Sequence, residues 1–158
     1  MTLIRAASAG DFEVARELFT EYGRSLDFSL CFQDFEAELE RLGEMYAPPG
    51  GSLLLAHDEE GRPIGCVALR TWAPGIGEMK RLYVRPPARG TGLGRRLAEE
   101  ILAEARRLGL TRVCLDTVPS MRAAIALYRS LGFREAAPYR ENPIAGTLSF
   151  ELELTPRD

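Results

Sequence analysis

The chain has 158 residues, 46% of them apolar and 27% charged, which is the balance of a globular protein with a core of its own and far from that of a disordered segment. Twenty basic residues against 23 acidic ones leave a net charge of −3, too little positive charge for general nucleic-acid binding. Length divided by about 150 gives a single domain over residues 1–158.

Apolar runs such as Leu53-Leu54-Leu55-Ala56 fall far short of the roughly 18 residues that a spanning helix needs, so no membrane partner is expected. Met1 to Asp11 holds Arg5 and Asp11 and no apolar stretch, so no secretory signal is expected. Cys31, Cys66 and Cys114 stand far apart with no CxxC spacing, which argues against a zinc site or a disulfide framework and for reduced thiols in the cytoplasm. Of the 20 basic residues only Lys80 is lysine, a skew that a compositional bias of the genome explains.

In chain order, Thr2–Arg5 alternates as a short strand. Ser8 followed by Asp11 reads as a capping box, and Phe12, Ala15, Leu18, Phe19 and Tyr22 then recur on one helical face. A second helix is expected over Asp34–Met45, rich in acid at Asp34, Glu36, Glu38, Glu40 and Glu44 against Arg41, a run that reads as a solvated face, and stopped by Pro48-Pro49-Gly50-Gly51. Ser52–His57 and Pro63–Trp72 form a hairpin around the loop Asp58–Arg62. A strand over Glu78–Val84 follows and ends at Arg85-Pro86-Pro87. Thr91–Leu108 is the clearest helix, closed by Gly109. Arg112–Thr117 is a strand, Met121–Leu131 a helix closed by Gly132, and Thr147–Leu154 a final strand. The order predicts an α+β (mixed α/β) fold around one central sheet.

The chemistry concentrates at Arg89-Gly90-Thr91-Gly92-Leu93-Gly94, between a strand and the longest helix. Glycines there free the backbone to turn sharply and let its amides approach a ligand. The helix that follows begins with unpartnered N–H groups and a positive dipole end, a setting suited to phosphate. Arg89, Arg95 and Arg96 add charge. The dinucleotide fingerprint GxGxxG fails because Arg95 stands at its third glycine, and the P-loop fails because Lys80 precedes the loop.

Arg89-x-x-Gly92-x-Gly94 has the form [RQ]-x-x-G-x-[GA]. It follows Glu78-Met79-Lys80-Arg81-Leu82-Tyr83-Val84 and precedes Ala124-Ile125-Ala126-Leu127-Tyr128-Arg129-Ser130-Leu131-Gly132-Phe133 by some thirty residues. From about Ser52 onward this combination resembles the GNAT superfamily of N-acetyltransferases. The resemblance implies a central, mostly antiparallel twisted sheet with a splayed strand pair, flanked by about four helices. It implies that the loop Arg89, Gly90, Thr91, Gly92, Leu93, Gly94 and Arg95 holds the pyrophosphate of acetyl-CoA. Leu82, Tyr83 and Val84 would then pair with the pantetheine amides, and a bulge in their strand would open a V-shaped slot toward Arg112–Thr117. Tyr128 would be the general acid that protonates the departing thiolate, and a backbone N–H of the Leu82–Val84 strand the oxyanion donor. Glu78 would be the base for a primary amine, small molecule or peptide, given a pKa raised by partial burial. Seven residues before the tyrosine, where many relatives carry asparagine, this chain has Met121, with Ser120 beside it.

The implied cosubstrate is acetyl-CoA, and no metal is called for. Two other readings stay open at this level: a non-catalytic acyl-CoA-binding or sensing module, to which Met121 lends support, and a nucleotide-phosphate binder using the same loop. His57 beside Asp58 reads as a surface residue, Cys66 and Cys114 as small buried hydrophobes, and Trp72 as a cover for the core. A homodimer stays open, dimers being the commonest soluble assembly.

Overall fold

A computed structural model describes residues 1–26 and 34–154; Cys31 lies outside the described residues. Strand β1 (Thr2–Arg5) leads into helix α1 (Ala9–Ser25), which opens on the expected capping box: Ser8 Oγ accepts from the Asp11 N–H and the Asp11 carboxylate from the Ser8 N–H. Short helices α2 (Phe35–Glu40) and α3 (Leu42–Met45) follow, then β2 (Gly51–His57), β3 (Pro63–Ala73) and β4 (Ile76–Val84). After one 3₁₀ turn at Pro86–Ala88 come α4 (Leu93–Arg107), β5 (Arg112–Thr117), α5 (Arg122–Ser130), β6 (Arg134–Ala136) and β7 (Leu148–Glu153).

The seven strands form one sheet in the order β1-β2-β3-β4-β5-β7-β6, antiparallel everywhere except between β4 and β5. Alternation along the strands sends side chains to two cores. Leu54, Ala56, Val67, Leu69 and Leu115 pack under α4 and α5 with Leu97 and Ile101. Leu53, Leu55, Cys66 and Ala68 pack under α1 with Leu18 and Phe19. Each leucine buried in this way is worth on the order of 1.5–3 kcal/mol, and both faces of β2 are covered, as its nearly continuous apolar run requires.

Two irregularities open the sheet. The parallel pair β4–β5 holds only over Ile76–Glu78 against Arg112–Cys114; beyond Glu78 the strands diverge and a V-shaped gap begins. On the other edge of β4, Cys66 faces Tyr83 while Ala68 faces Lys80, so Arg81 and Leu82 share one partner position in a β-bulge. Arg81 takes the left-handed conformation there, φ +59°, rare for a bulky residue. The extra residue breaks the alternation, and Lys80 and Arg81 both reach Glu38 of α2 on the same face of the sheet.

The structure differs from the sequence reading in a few places. The helix expected over Asp34–Met45 is broken at Arg41, giving five α-helices among the described residues rather than about four. Its acid is not one solvated face: Glu38 is 2% exposed and turned into the protein. Strand β6, three residues long, is too short to leave a periodic signal. Trp72 caps no apolar core; it lies against Tyr139, Arg70 and Arg140. No helix of the described residues is long and apolar enough to cross a membrane.

Candidate active site

At the outer end of the gap, Gly90 and Gly92 have φ of +79° and +85°, and a Cβ at either would meet nothing within 4 Å. Backbone conformation, not crowding, therefore requires glycine. Gly92 caps α4 without a side-chain bond, and the first helical return is from Arg96 N–H to the Gly92 carbonyl. The N–H groups of Leu93, Gly94 and Arg95 thus form the unpaired first turn of a helix, at its positive end. Arg89 ties this loop to the sheet: its Nε donates to the Val84 carbonyl at 2.9 Å and its guanidinium lies over the Tyr83 ring. Arg95 bridges to α5 through Ser130 Oγ at 2.7 Å.

From this cradle a groove runs inward between β4 and α5. Leu82, Val84, Gly94, Met121, Ala124 and Leu127 are among its lining residues. Past Glu78, β4 has a neighbour on one edge only, so main-chain groups on the other edge face the gap. The groove meets an inner cavity at Tyr22, Leu82 and Met121, which line both. Tyr128 lines the inner cavity, its ring packed on Phe133 and Phe150 at 5.8 and 6.5 Å. Burial, reinforced by the Tyr22 hydroxyl, pushes its phenol well above the ordinary tyrosine value, which keeps it a neutral O–H donor near pH 7. Thr117 Oγ1, at the end of β5 on the same cavity, is buried without a hydrogen-bond partner among the described residues. An orphaned buried hydroxyl is rare in a folded protein.

The far wall of the cavity is a network of charges. Glu78, 1% exposed, accepts from Arg70 Nε at 2.9 Å, from the Tyr139 hydroxyl at 2.5 Å and from Arg140 at 2.8 Å. Arg140 also donates to Asp116 at 3.0 Å. Glu38 accepts twice from Arg81, at 2.9 and 2.7 Å. Burial pushes the Glu78 carboxyl up, but Lys80, Arg140, the Tyr139 hydroxyl and Arg70 outweigh it and hold it below the ordinary glutamate value. The raised pKa expected for Glu78 is therefore corrected: burial is there, but cations surround the carboxylate and favour its charged form. Lys80 stands 3.5 Å from Glu38 and 3.8 Å from Glu78. Burial, then repulsion from Arg81, lowers its ammonium to about 8.

The profile of the acetyltransferase (GNAT) family matches residues 13–133. The chain belongs to the GNAT family. A protein of Schizosaccharomyces pombe named as an uncharacterised N-acetyltransferase is 40% identical over 146 residues, covering 92% of this chain and 90% of that one. Among solved structures, a GNAT-family acetyltransferase from Staphylococcus aureus superposes with a TM-score of 0.81 at 18% identity, over 98% of this chain and 99% of that chain. An acetyltransferase from Salmonella typhimurium, solved with its cofactor acetyl-CoA, gives 0.73 at 23% identity, over 100% and 96%. The fold is the GNAT fold and the protein is an acyltransferase of that family.

Within this GNAT chain, five of the residues singled out from the sequence, Leu82, Tyr83, Val84, Arg89 and Gly94, line one groove. Gly90, Thr91, Gly92, Leu93 and Arg95 form the loop and first helical turn beside it, with the Leu93 side chain in the core. Glu78 and Tyr128 share the inner cavity. Sequence reasoning missed Glu38, Lys80, Arg81, Tyr139, Arg140 and Thr117. One signal was available: two adjacent cations, Lys80-Arg81, inside a strand otherwise rich in apolar residues. Among the described residues no group of acids, cysteines and histidine is placed to hold a metal ion.

Proposed function

We propose that the protein is an N-acetyltransferase that moves an acetyl group from acetyl-CoA to the primary amine of a small molecule or peptide by direct transfer within the gap between β4 and β5. The observation that carries this reading is the continuity of three parts: the uncapped helix start at Gly92–Arg95, the groove along the free edge of β4, and the inner cavity holding Tyr128 and the orphaned Thr117 hydroxyl.

In this reading the N–H groups of Leu93, Gly94 and Arg95 bind the diphosphate, the anion for which such a turn is suited. The free edge of β4 at Leu82–Val84 takes the amides of the pantetheine arm as a partner strand would, and offers an N–H to the carbonyl oxygen as negative charge develops there. Met121 and Ala124 cover the arm from α5. When bound, acetyl-CoA supplies an activated acyl group on sulfur. Tyr128, whose raised pKa keeps its O–H intact, donates that proton to the sulfur as the C–S bond breaks and is reprotonated by the proton that the acceptor nitrogen gives up. Glu78, ionised and fixed by its donors, supplies negative charge on the wall that an incoming ammonium meets.

Thermal shift with acetyl-CoA, CoA, ATP and NAD, followed by detection of free thiol against a panel of primary amines, tests the reading. Acetyl-CoA and CoA raise the melting temperature, and thiol appears only when an amine is present. Stabilisation by ATP or NAD but not by CoA, or cofactor binding without thiol release across the panel, overturns it.

A further inference from the structure

Lys80 is the chain's only lysine, and it lies in the middle of β4 with its side chain 5% exposed. A buried ammonium is tolerated when carboxylates bind it closely. Here the carboxylates around it are already engaged. Glu38 from α2 is taken at both oxygens by Arg81, and Glu78 from β4 by Arg70 of β3, by Arg140 and by Tyr139 of the loop before β7. Asp116 of β5 is taken by Arg140 and by Ser149 of β7. From α1, Tyr22 lines the same cavity as an uncharged phenol whose pKa burial raises. Lys80 is left 3.5 Å or more from each carboxylate near it, beyond a good N–H···O bond. Guanidiniums do not release protons, and the Glu38 and Glu78 carboxyls are held ionised, below the ordinary glutamate value. Lys80 is therefore the group on this wall whose charge can change, and it faces the cavity in which the acceptor amine must sit.

We propose that Lys80 is the proton acceptor for the acceptor amine. The proposal rests on the transferase reading above and assigns to the lysine the base role that the pinned Glu78 does not fit. The acceptor enters as an ammonium. The Nζ lone pair of neutral Lys80 takes one of its protons, the N–H bonding pair stays on the acceptor nitrogen as the attacking lone pair, and Lys80 becomes the ammonium; after attack the nitrogen, now cationic, gives up a second proton, which replaces the one that Tyr128 passes to the departing sulfur. Total charge in the cavity is unchanged. Lys80 returns its proton to solvent when the product leaves. The transfer is closely matched: an alkyl ammonium near 10.4 faces an acceptor at about 8, whereas a carboxylate below the ordinary glutamate value lies far further down. The β4 bulge is what brings the group here, since it turns Lys80 and Arg81 to one face and lets Arg81 occupy Glu38.

The test uses the intact chain and two measurements. With lysine labelled at ¹³Cε the protein gives one lysine resonance, and its titration with CoA bound is expected to have a midpoint near 8. In parallel, Lys80→Arg, which keeps the charge but cannot lose a proton, and Lys80→Met, which keeps length and apolar stem, are assayed for thiol release from pH 6 to pH 9.5 with the amine that the wild type acetylates best. Both variants are expected to lose about 10²–10⁴-fold in kcat/KM, to bind acetyl-CoA as the wild type does, and to lose the rise of kcat/KM through pH 8. A lysine midpoint at or above the ordinary value overturns the proposal. So does full activity in Lys80→Arg with a KM defect in Lys80→Met, which would make the lysine a fixed cation that anchors an acceptor anion. Should the arginine variant fail to fold, the methionine variant and the wild-type titration decide. Absence of amine-dependent thiol release in the wild type overturns the transferase reading itself, and is distinguished from the outcomes above because it appears before any substitution is made.

Discussion

On the α4–α5 side of the gap, the wall is main chain and small or apolar side chains: Gly90, Gly92 and Gly94, the unpaired first turn of α4, the free edge of β4, Met121 and Ala124. On the α1–α2 side the wall is side-chain charge, with Glu38, Arg70, Glu78, Lys80, Arg81, Asp116 and Arg140 joined across three strands, a helix and the loop before β7. In the proposed reading the first wall takes a diphosphate and a chain of amides through main-chain groups, which are indifferent to what lies beyond them. The second is specific by construction, since each fixed charge favours one arrangement of ligand charge and penalises the rest. The proposed donor site and the proposed acceptor site thus lie on opposite faces of a single bulged strand.

Four substitutions or conditions sharpen that division. The largest effect is expected from Tyr128→Phe, which removes the donor hydroxyl and keeps the ring against Phe133 and Phe150: turnover falls by about 10²–10⁴-fold, while acetyl-CoA binding by calorimetry stays unchanged. Next is Glu38→Gln, which removes the carboxylate that the buried Arg81 binds at both oxygens. Breaking a buried pair at one partner costs about 3–5 kcal/mol, read as a lower denaturant midpoint, and the loss should reach the acceptor wall without altering the cradle's affinity for CoA. Gly94→Val acts on the other wall. A Cβ there meets Val84 and Leu127 at ordinary distances of 3.8 and 3.9 Å, so the fold stands, but the branched side chain fills the cofactor groove and weakens CoA binding by about tenfold or more, or roughly 1.4 kcal/mol.

The smallest effects are those of pH on stability. Glu38 and Glu78 both have carboxyl groups held below the ordinary value by their cations, against burial. Their contribution is therefore present above about pH 4.5 and is lost as pH falls through the folded-state values; Glu78→Gln should flatten that acid limb. Lys80 runs the other way. Its lowered pKa of about 8 means that folding opposes its charged form, so the cost is full below pH 8 and disappears as pH rises toward the unfolded value near 10.4. The melting temperature of Lys80→Met at pH 7 should equal or exceed that of the wild type, and the difference should shrink between pH 8 and pH 10.

The same division explains what could be read from the sequence. The cradle was legible because its parts are contiguous and its residue types are forced: glycine where φ is positive, then an amphipathic helix with Leu97 and Ile101 on its buried face. Most strands and both closing glycines, Gly109 and Gly132, followed from periodicity and local turn chemistry. The charged wall was not legible. Its members come from residues 38, 70, 78, 80, 81, 116, 139 and 140 and meet only through the tertiary fold, so the acid of α2 looked like a solvated face until Glu38 was found under Arg81. The break of the second helix at Arg41 was hidden for the same reason, being set by packing rather than by propensity, and strand β6 is too short to leave a signal.

The most direct test is a crystal structure of the chain with acetyl-CoA. The diphosphate should lie within hydrogen-bond distance of the Leu93, Gly94 and Arg95 N–H groups, with the pantetheine along Leu82–Val84 and the thioester between Tyr128 and the wall that carries Lys80. A coenzyme bound elsewhere, or a thioester on the outer side of α5 away from the β4–β5 gap, would contradict the account.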